Sequence, residues 1–135
     1  MASSPVFVST PKFANIVLNA TNAGDPAYIN PTTIATVLTV GATGGRIDSV
    51  SICPTGTNAS TSVRFFIDTV GTGGTANRLA YDCQLTASTS SSVSSLAAAY
   101  WRPGLVLPAN SVLRATVANT AVTNGVAVSV EYGEF

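Results

Sequence analysis

The clearest structural signal in the chain is Val63-Arg64-Phe65-Phe66-Ile67-Asp68 followed by Leu79-Ala80-Tyr81-Asp82-Cys83-Gln84-Leu85. In both stretches, apolar residues recur at every second position, which is the period of a β-strand with one face on a core. The glycine-rich segment 71–75 between them lacks the Lys-Ser/Thr ending and the following helix of a phosphate-binding loop. It therefore predicts a hairpin loop that joins two strands.

Similar runs recur along the rest of the chain and predict strands at 13–18, 34–40, 46–53, 105–107, 112–117 and 126–132. We expect one hairpin across Gly41–Gly45 and another at Asn124-Gly125, because Asn-Gly is the strongest short hairpin signal. About eight strands without a helix of useful length predict an all-β, single-domain β-sandwich. The long connections at 19–33 and 86–100 favour a jelly roll, whose strands must pass between two sheets.

The 135 residues suit one domain. Residues 1–14 contain Pro5 and Pro11, which remove ladder donors and disfavour helix, so we predict an extended N-terminal arm there. Residues 15–135 form the predicted sandwich domain.

Charge is scarce, with six basic and six acidic residues making up 9% of the chain, against about 25% in an average soluble domain. The polar surface must come largely from 15 Ser and 18 Thr, whose hydroxyls are buried against a partner at lower cost than charges. This composition favours an assembly component. The six cations are dispersed, so we expect no nucleic-acid partner. No apolar run suits a membrane span or a secretory signal, and we expect synthesis in a cytoplasm.

The chain has no histidine, which removes Ser-His and Cys-His nucleophile systems and a common metal ligand. We therefore predict no enzyme activity, no catalytic residues, no cofactor and no metal site. Of the six carboxylates, Asp25 is expected to be used in a turn, and four are expected to be solvated or paired with arginine: Asp48, Asp68, Asp82 and Glu131. Cys53 and Cys83 are expected to stay reduced as small apolar residues.

The candidate interface residues are Val6, Phe7, Phe13, Tyr100, Trp101 and Arg102. The first three belong to the arm. The last three form the one aromatic and cationic cluster, and such residues supply much of the binding energy at interfaces. They could anchor an interface or stack on a sugar. Alternatively, Trp101 could plug one end of the sandwich while Tyr100 and Arg102 cover it.

Residues 44–52, Gly-Gly-Arg-Ile-Asp-Ser-Val-Ser-Ile, and 105–114, Leu-Val-Leu-Pro-Ala-Asn-Ser-Val-Leu-Arg, resemble small all-β virion proteins of tailed bacteriophages. The resemblance is closest to capsid decoration, or cement, proteins with a jelly-roll body. It implies a non-enzymatic protein that binds the outer head surface and stabilises the shell. Its partners would be the major capsid protein or other virion proteins, and it would form a homo-oligomer, with a trimer favoured. It would be located in the virion after synthesis in the host bacterial cytoplasm.

Two other functions fit the same sequence features. One is another virion component, such as a tail, baseplate or fibre-associated protein. The other is a carbohydrate-binding β-sandwich module that uses Tyr100 and Trp101. A shell protein of a small virus would usually bring a basic arm, whereas residues 1–20 contain one Lys and no Arg.

Overall fold

The computed structural model describes residues 10–69, 76–91, 96–118 and 124–135, which form nine β-strands. They are β1 (Thr10–Leu18), β2 (Ala35–Thr39), β3 (Gly45–Pro54), β4 (Thr61–Asp68), β5 (Arg78–Leu85), β6 (Ala99–Trp101), β7 (Leu105–Leu107), β8 (Val112–Val117) and β9 (Val126–Glu134). Helix is limited in these ranges to the 3-10 turn Ala20–Asn22. No helix of the described chain could cross a membrane.

The strands form two antiparallel sheets. Sheet 1 has the order β1-β9-β3-β6, with β7 also paired to β3, and sheet 2 has the order β2-β8-β4-β5. The short strands β6 and β7 pair with successive parts of β3 and together act as one interrupted edge strand. Strands that are adjacent in sequence then alternate between the sheets, apart from the β4–β5 hairpin, which is the order of an eight-stranded jelly roll. The predicted all-β sandwich is confirmed.

Both hairpins predicted at Gly41–Gly45 and Asn124-Gly125 are wrong, because each segment carries the chain from sheet 2 to sheet 1. Gly44 has φ +80°, and a Cβ there would lie 2.7 Å from the Leu107 carbonyl oxygen. Gly125 has φ +89°, and a Cβ there would lie 2.9 Å from the Val17 side chain on β1. Glycine is needed for a positive φ and a close backbone approach both in a connection between two sheets and in a hairpin within one sheet. The glycines therefore did not distinguish these two kinds of connection.

The core lies between the inner faces of the two sheets. Sheet 1 contributes residues such as Val50, Ile52 and Val128, and sheet 2 contributes Phe65 and Leu113, all fully buried. These positions alternate with outward-facing residues along each strand, as a half-buried strand requires. The period-two prediction for Val63–Asp68 therefore identified the correct inner face.

The outer face of sheet 2 is covered by the connection between β1 and β2, residues 19–34. Thr116 on β8 donates from its hydroxyl to the Asn22 carbonyl at 3.0 Å and contacts the Thr33 hydroxyl at 2.7 Å. Arg64 on β4 donates to the Pro26 carbonyl. Phe66 also points to this side and is fully buried, although it lies outside the main core cluster.

A buried polar cluster forms under this cover. Arg114 on β8 donates to the Asp68 carboxylate and to the Asn77 side-chain carbonyl, both at 2.9 Å. The Asn77 backbone N–H donates to the side chain of Asn30 at 2.8 Å, which joins the cluster to the covering connection. Asp68 is fully buried and is not the solvated charge that the sequence also allowed. A buried charge of this kind requires its partner, because desolvation is costly.

Strand β1 begins at Thr10, so part of the predicted arm belongs to sheet 1. Residues 10–14 pair with β9 in the register Thr10↔Glu134 to Ala14↔Val130. Residues 1–9 lie outside the described residues, and the extended arm stays a prediction for them.

We expect Asp68→Ala to lower the free energy of unfolding by about 3 kcal/mol or more, because it leaves the Arg114 charge buried with Asn77 as its remaining side-chain partner among the described residues. In a domain of this size, that corresponds to a fall in Tm of roughly 10 °C. The matched control is Asp48→Ala, which removes the exposed ion pair with Arg46 and should cost less than about 1 kcal/mol. Thermal unfolding followed by circular dichroism measures both, and equal losses would contradict the structural role of the cluster.

Candidate interaction surface

The outer face of sheet 1 is open to solvent, whereas the outer face of sheet 2 is covered. Phe13, Tyr100 and Val106 on this face are 65%, 61% and 60% exposed. They lie on β1, β6 and β7, and Val17 adds a further exposed apolar side chain. Exposed apolar side chains on one face are typical of an interaction surface.

A shallow groove of about 260 Å³ crosses this face, and we call it the serine groove. Phe13 forms one wall and Tyr100 with Arg102 forms the other, while the floor is made of Ser49, Ser51, Ser129 and Glu131. The walls belong to strands that are three strand spacings apart, or about 14 Å. The groove is wide and its floor is made mostly of small side chains.

Hydrogen bonds order the floor of the groove. The Ser49 hydroxyl donates to Glu131 at 3.0 Å, and Asn15 donates from its amide to the Ser129 hydroxyl at 2.6 Å. Each bond joins neighbouring strands of sheet 1. The floor therefore presents a rigid hydroxyl surface, and such groups lose little when they are buried against a partner that hydrogen-bonds to them.

Tyr100 and Trp101 point to opposite faces of β6. Trp101 packs on the core, stacked on Tyr81 with 4.9 Å between ring centroids and 5.6 Å from Phe65. Tyr100 points outward, with the Arg102 guanidinium 6.0 Å from its ring centroid. The two rings do not form one platform for a sugar, and Trp101 closes the gap between the edges of the two sheets.

The structure thus brings three of the six candidate interface residues together at the serine groove: Phe13, Tyr100 and Arg102. Trp101 belongs to the core side, and Val6 and Phe7 lie outside the described residues. The groove floor could not be predicted from the local sequence, because Ser49 on β3 and Ser129 on β9 are neighbours only through the sheet order. Their outward positions on predicted strands were the available signal.

The carboxylates have structural partners. Asp68, Asp82, Asp48 and Glu134 form ion pairs with Arg114, Arg64, Arg46 and Lys12 respectively. Asp25 accepts hydrogen bonds from the backbone N–H groups of Ala27 and Thr32, which lower the pKa of its carboxyl. Glu131 accepts from Ser49 and makes no ion pair within the described ranges. Because each described carboxylate already has one of these partners, no two of them are left to act as a general acid and a general base.

Glu134 joins three segments of the chain, β1, the β2–β3 connection and β9. It accepts from Lys12 on β1 at 2.7 Å and from the Gly41 backbone N–H at 2.9 Å. The hydrogen bond from Lys12, aided by that from Gly41, lowers the pKa of Glu134, and the same contact raises the pKa of Lys12. The charged forms of both groups are stabilised by folding.

The described residues contain no group of three or more metal-ligating side chains. Cys53 lies on sheet 1 and Cys83 on sheet 2, and both are free thiols. Burial raises the pKa of Cys83, which makes this thiol unreactive.

Two solved structures are similar to this chain. One is a chain of the "Cyanophage Pam1 capsid asymmetric unit", with 21% identity over 100% of this chain and 94% of that chain and a TM-score of 0.43. The other is the D431N mutant VP2 protein of infectious bursal disease virus, with 12% identity over 100% of this chain and 42% of that chain and a TM-score of 0.24. No protein-family model and no curated protein matches the sequence. At these values, neither similarity assigns a function.

We expect the free energy of unfolding to fall in acid as the pH passes through the lowered pKa of Glu134. The contribution of this group is complete above the ordinary Glu pKa of about 4.3, and it disappears below the folded value, because the unfolded chain binds the proton more readily. The raised pKa of Lys12 has the opposite sign, so its contribution is lost above about 10.4. Urea unfolding at a series of pH values should show a flatter acid limb for Glu134→Gln. A limb parallel to that of the wild type would contradict the assignment.

We expect Trp101→Ala to lower the free energy of unfolding by at least about 2 kcal/mol, because its ring fills the edge of the core. Tyr100→Ala is the matched neighbour and should cost less than about 1 kcal/mol, because its ring is largely exposed. Chemical denaturation measures both. A larger loss for Tyr100→Ala than for Trp101→Ala would reverse the assignment of the two faces.

Proposed function

We propose that the protein is a structural component of a bacteriophage virion, a capsid decoration protein that binds the outer head surface and stabilises the shell. The observation that carries this proposal is the difference between the two outer sheet faces. The chain covers the face of sheet 2 with its own residues 19–34, and it leaves exposed aromatic walls around a hydroxyl floor on sheet 1. A face of this kind suits contact with another protein chain.

The charge distribution supports the same function. Four ion pairs use eight of the twelve charged side chains within the molecule. The rest of the surface therefore has few unpaired charges and many hydroxyls, which lowers the desolvation cost of covering it. On a shell, many modest contacts of one kind are repeated over the lattice, and linked sites bind much more tightly than single ones.

Jelly-roll domains occur in viral capsid proteins and also in lectins, so the fold alone does not choose between these functions. The separation of Tyr100 from Trp101 weighs against the sugar platform that the sequence left open as an alternative. A position on the tail, baseplate or fibre would use the same surface chemistry. Negative-stain labelling of whole particles would distinguish these positions from the head.

We expect the purified protein to bind undecorated phage heads saturably and to sediment with them. Phe13→Ser, which removes one wall of the serine groove, should weaken this binding at least about tenfold, a loss of about 1.4 kcal/mol that is typical of an interface anchor. Ile29→Ser is the matched control, because Ile29 is also 65% exposed but lies outside the groove, in the connection that covers sheet 2. Absence of co-sedimentation for the wild type would contradict the proposed function.

A further inference from the structure

The serine groove contains two charges of opposite sign that have no ionic partner in the described chain. Glu131 stands on the floor on β9, and Arg102 stands on the wall after β6. The other two charged side chains that make no described ion pair, Asp25 and Arg78, lie outside this groove. The groove is therefore neutral overall, with the negative charge on the β9 side of β3 and the positive charge on the β6 side.

The register of sheet 1 places the two charges on either side of Ser49. Glu131 pairs with Ser49 across β9 and β3, and Phe13 pairs with Glu131 on its other side. Trp101 pairs with Val50, so Arg102 follows at the level of Ser49 on the opposite side of β3. Each charge is about one strand spacing, roughly 5 Å, from β3.

The two charges are placed so that the groove of one copy is complementary in charge to the groove of a second copy. A two-fold axis that runs along β3 over Ser49 exchanges the strands on its two sides, so it brings Glu131 of one copy opposite Arg102 of the other. The same operation places Tyr100 over Ser129 of the second copy, because Tyr100 and Ser129 both pair with Ser51. Small serines between the charges allow the two sheets to approach closely.

We propose that the serine groove binds a second copy of this chain through a two-fold contact, in which Arg102 of each copy pairs with Glu131 of the other. This inference rests on the proposed function only in taking the groove as a protein contact surface. Phe13 lies on β1, two strands from β3, so in this contact it lies beyond the edge strand β6 of the second copy and stays available to the shell. The occupant is identified by charge, since the second copy presents the opposite charge at each of the two positions. The two-fold contact differs from the homotrimer implied by the resemblance, which would need a head-to-tail contact.

Charge reversal tests the contact directly. In Arg102→Glu, acidic groups of the two copies face each other at both positions, and in Glu131→Arg, basic groups do so. We expect sedimentation velocity to show a concentration-dependent dimer for the wild type. Each single variant should have a dissociation constant at least about 100-fold higher, because facing like charges cost several kcal/mol.

Mixing the two single variants provides the decisive test of the two-fold contact. A two-fold contact between Arg102→Glu and Glu131→Arg restores opposite charges at both positions, so the equimolar mixture should form a heterodimer although neither variant forms a homodimer. The double variant Arg102→Glu/Glu131→Arg should dimerise like the wild type, and it supplies a second test if one single variant folds poorly. Arg78→Glu is the matched control, since Arg78 lies on β5 in the other sheet, and it should leave the dimer unchanged.

A monomeric wild type, single variants that dimerise normally, a mixture that stays monomeric or a wild-type trimer would each overturn the two-fold contact. None of these outcomes depends on phage heads. A protein that dimerises as expected but does not sediment with heads would contradict the proposed function and leave this inference standing. A protein that sediments with heads but stays monomeric would overturn the two-fold contact and leave the proposed function standing.

Discussion

The buried contact of Arg114 with Asp68 and Asn77 determines which surface of the sandwich remains available. It lies under residues 19–34 and is joined to them through Asn30, so the ion pair stays out of water and the outer face of sheet 2 stays covered. The connection that provides this cover passes over only one sheet. The other sheet therefore presents its outer face, and with it the serine groove, to whatever the protein binds.

The pairing of most charges within the molecule explains how this surface can be well solvated in the monomer and still bind a partner. Most charged side chains are used in ion pairs within the molecule, and serine and threonine hydroxyls provide much of the remaining polarity. Hydroxyls solvate a monomer adequately and are buried against a partner at low cost. The two charges left in the groove, Glu131 and Arg102, then select the orientation of a partner more than they supply affinity.

Much of the fold could be predicted from local pattern, because strand periodicity depends only on neighbouring residues. The alternation at Val63–Asp68 identified the inner face, and Phe13, Tyr100 and Arg102 were candidate interface residues before their neighbours were known. What the pattern did not contain was the partner of each strand. Gly41–Gly45 and Asn124-Gly125 have the chemistry of hairpins but connect different sheets, and the serine floor depends on that long-range pairing.

Both proposals require the outer face of sheet 1 to be a contact surface between protein chains. Hydroxyl-radical footprinting with mass spectrometry measures the solvent access of Phe13 and Tyr100 in the dilute monomer and in the assembled particle. We expect both rings to be oxidised several-fold more slowly in the particle than in the monomer. Equal oxidation rates in the two states would show that this face remains in solvent and would rule out its use as a contact surface.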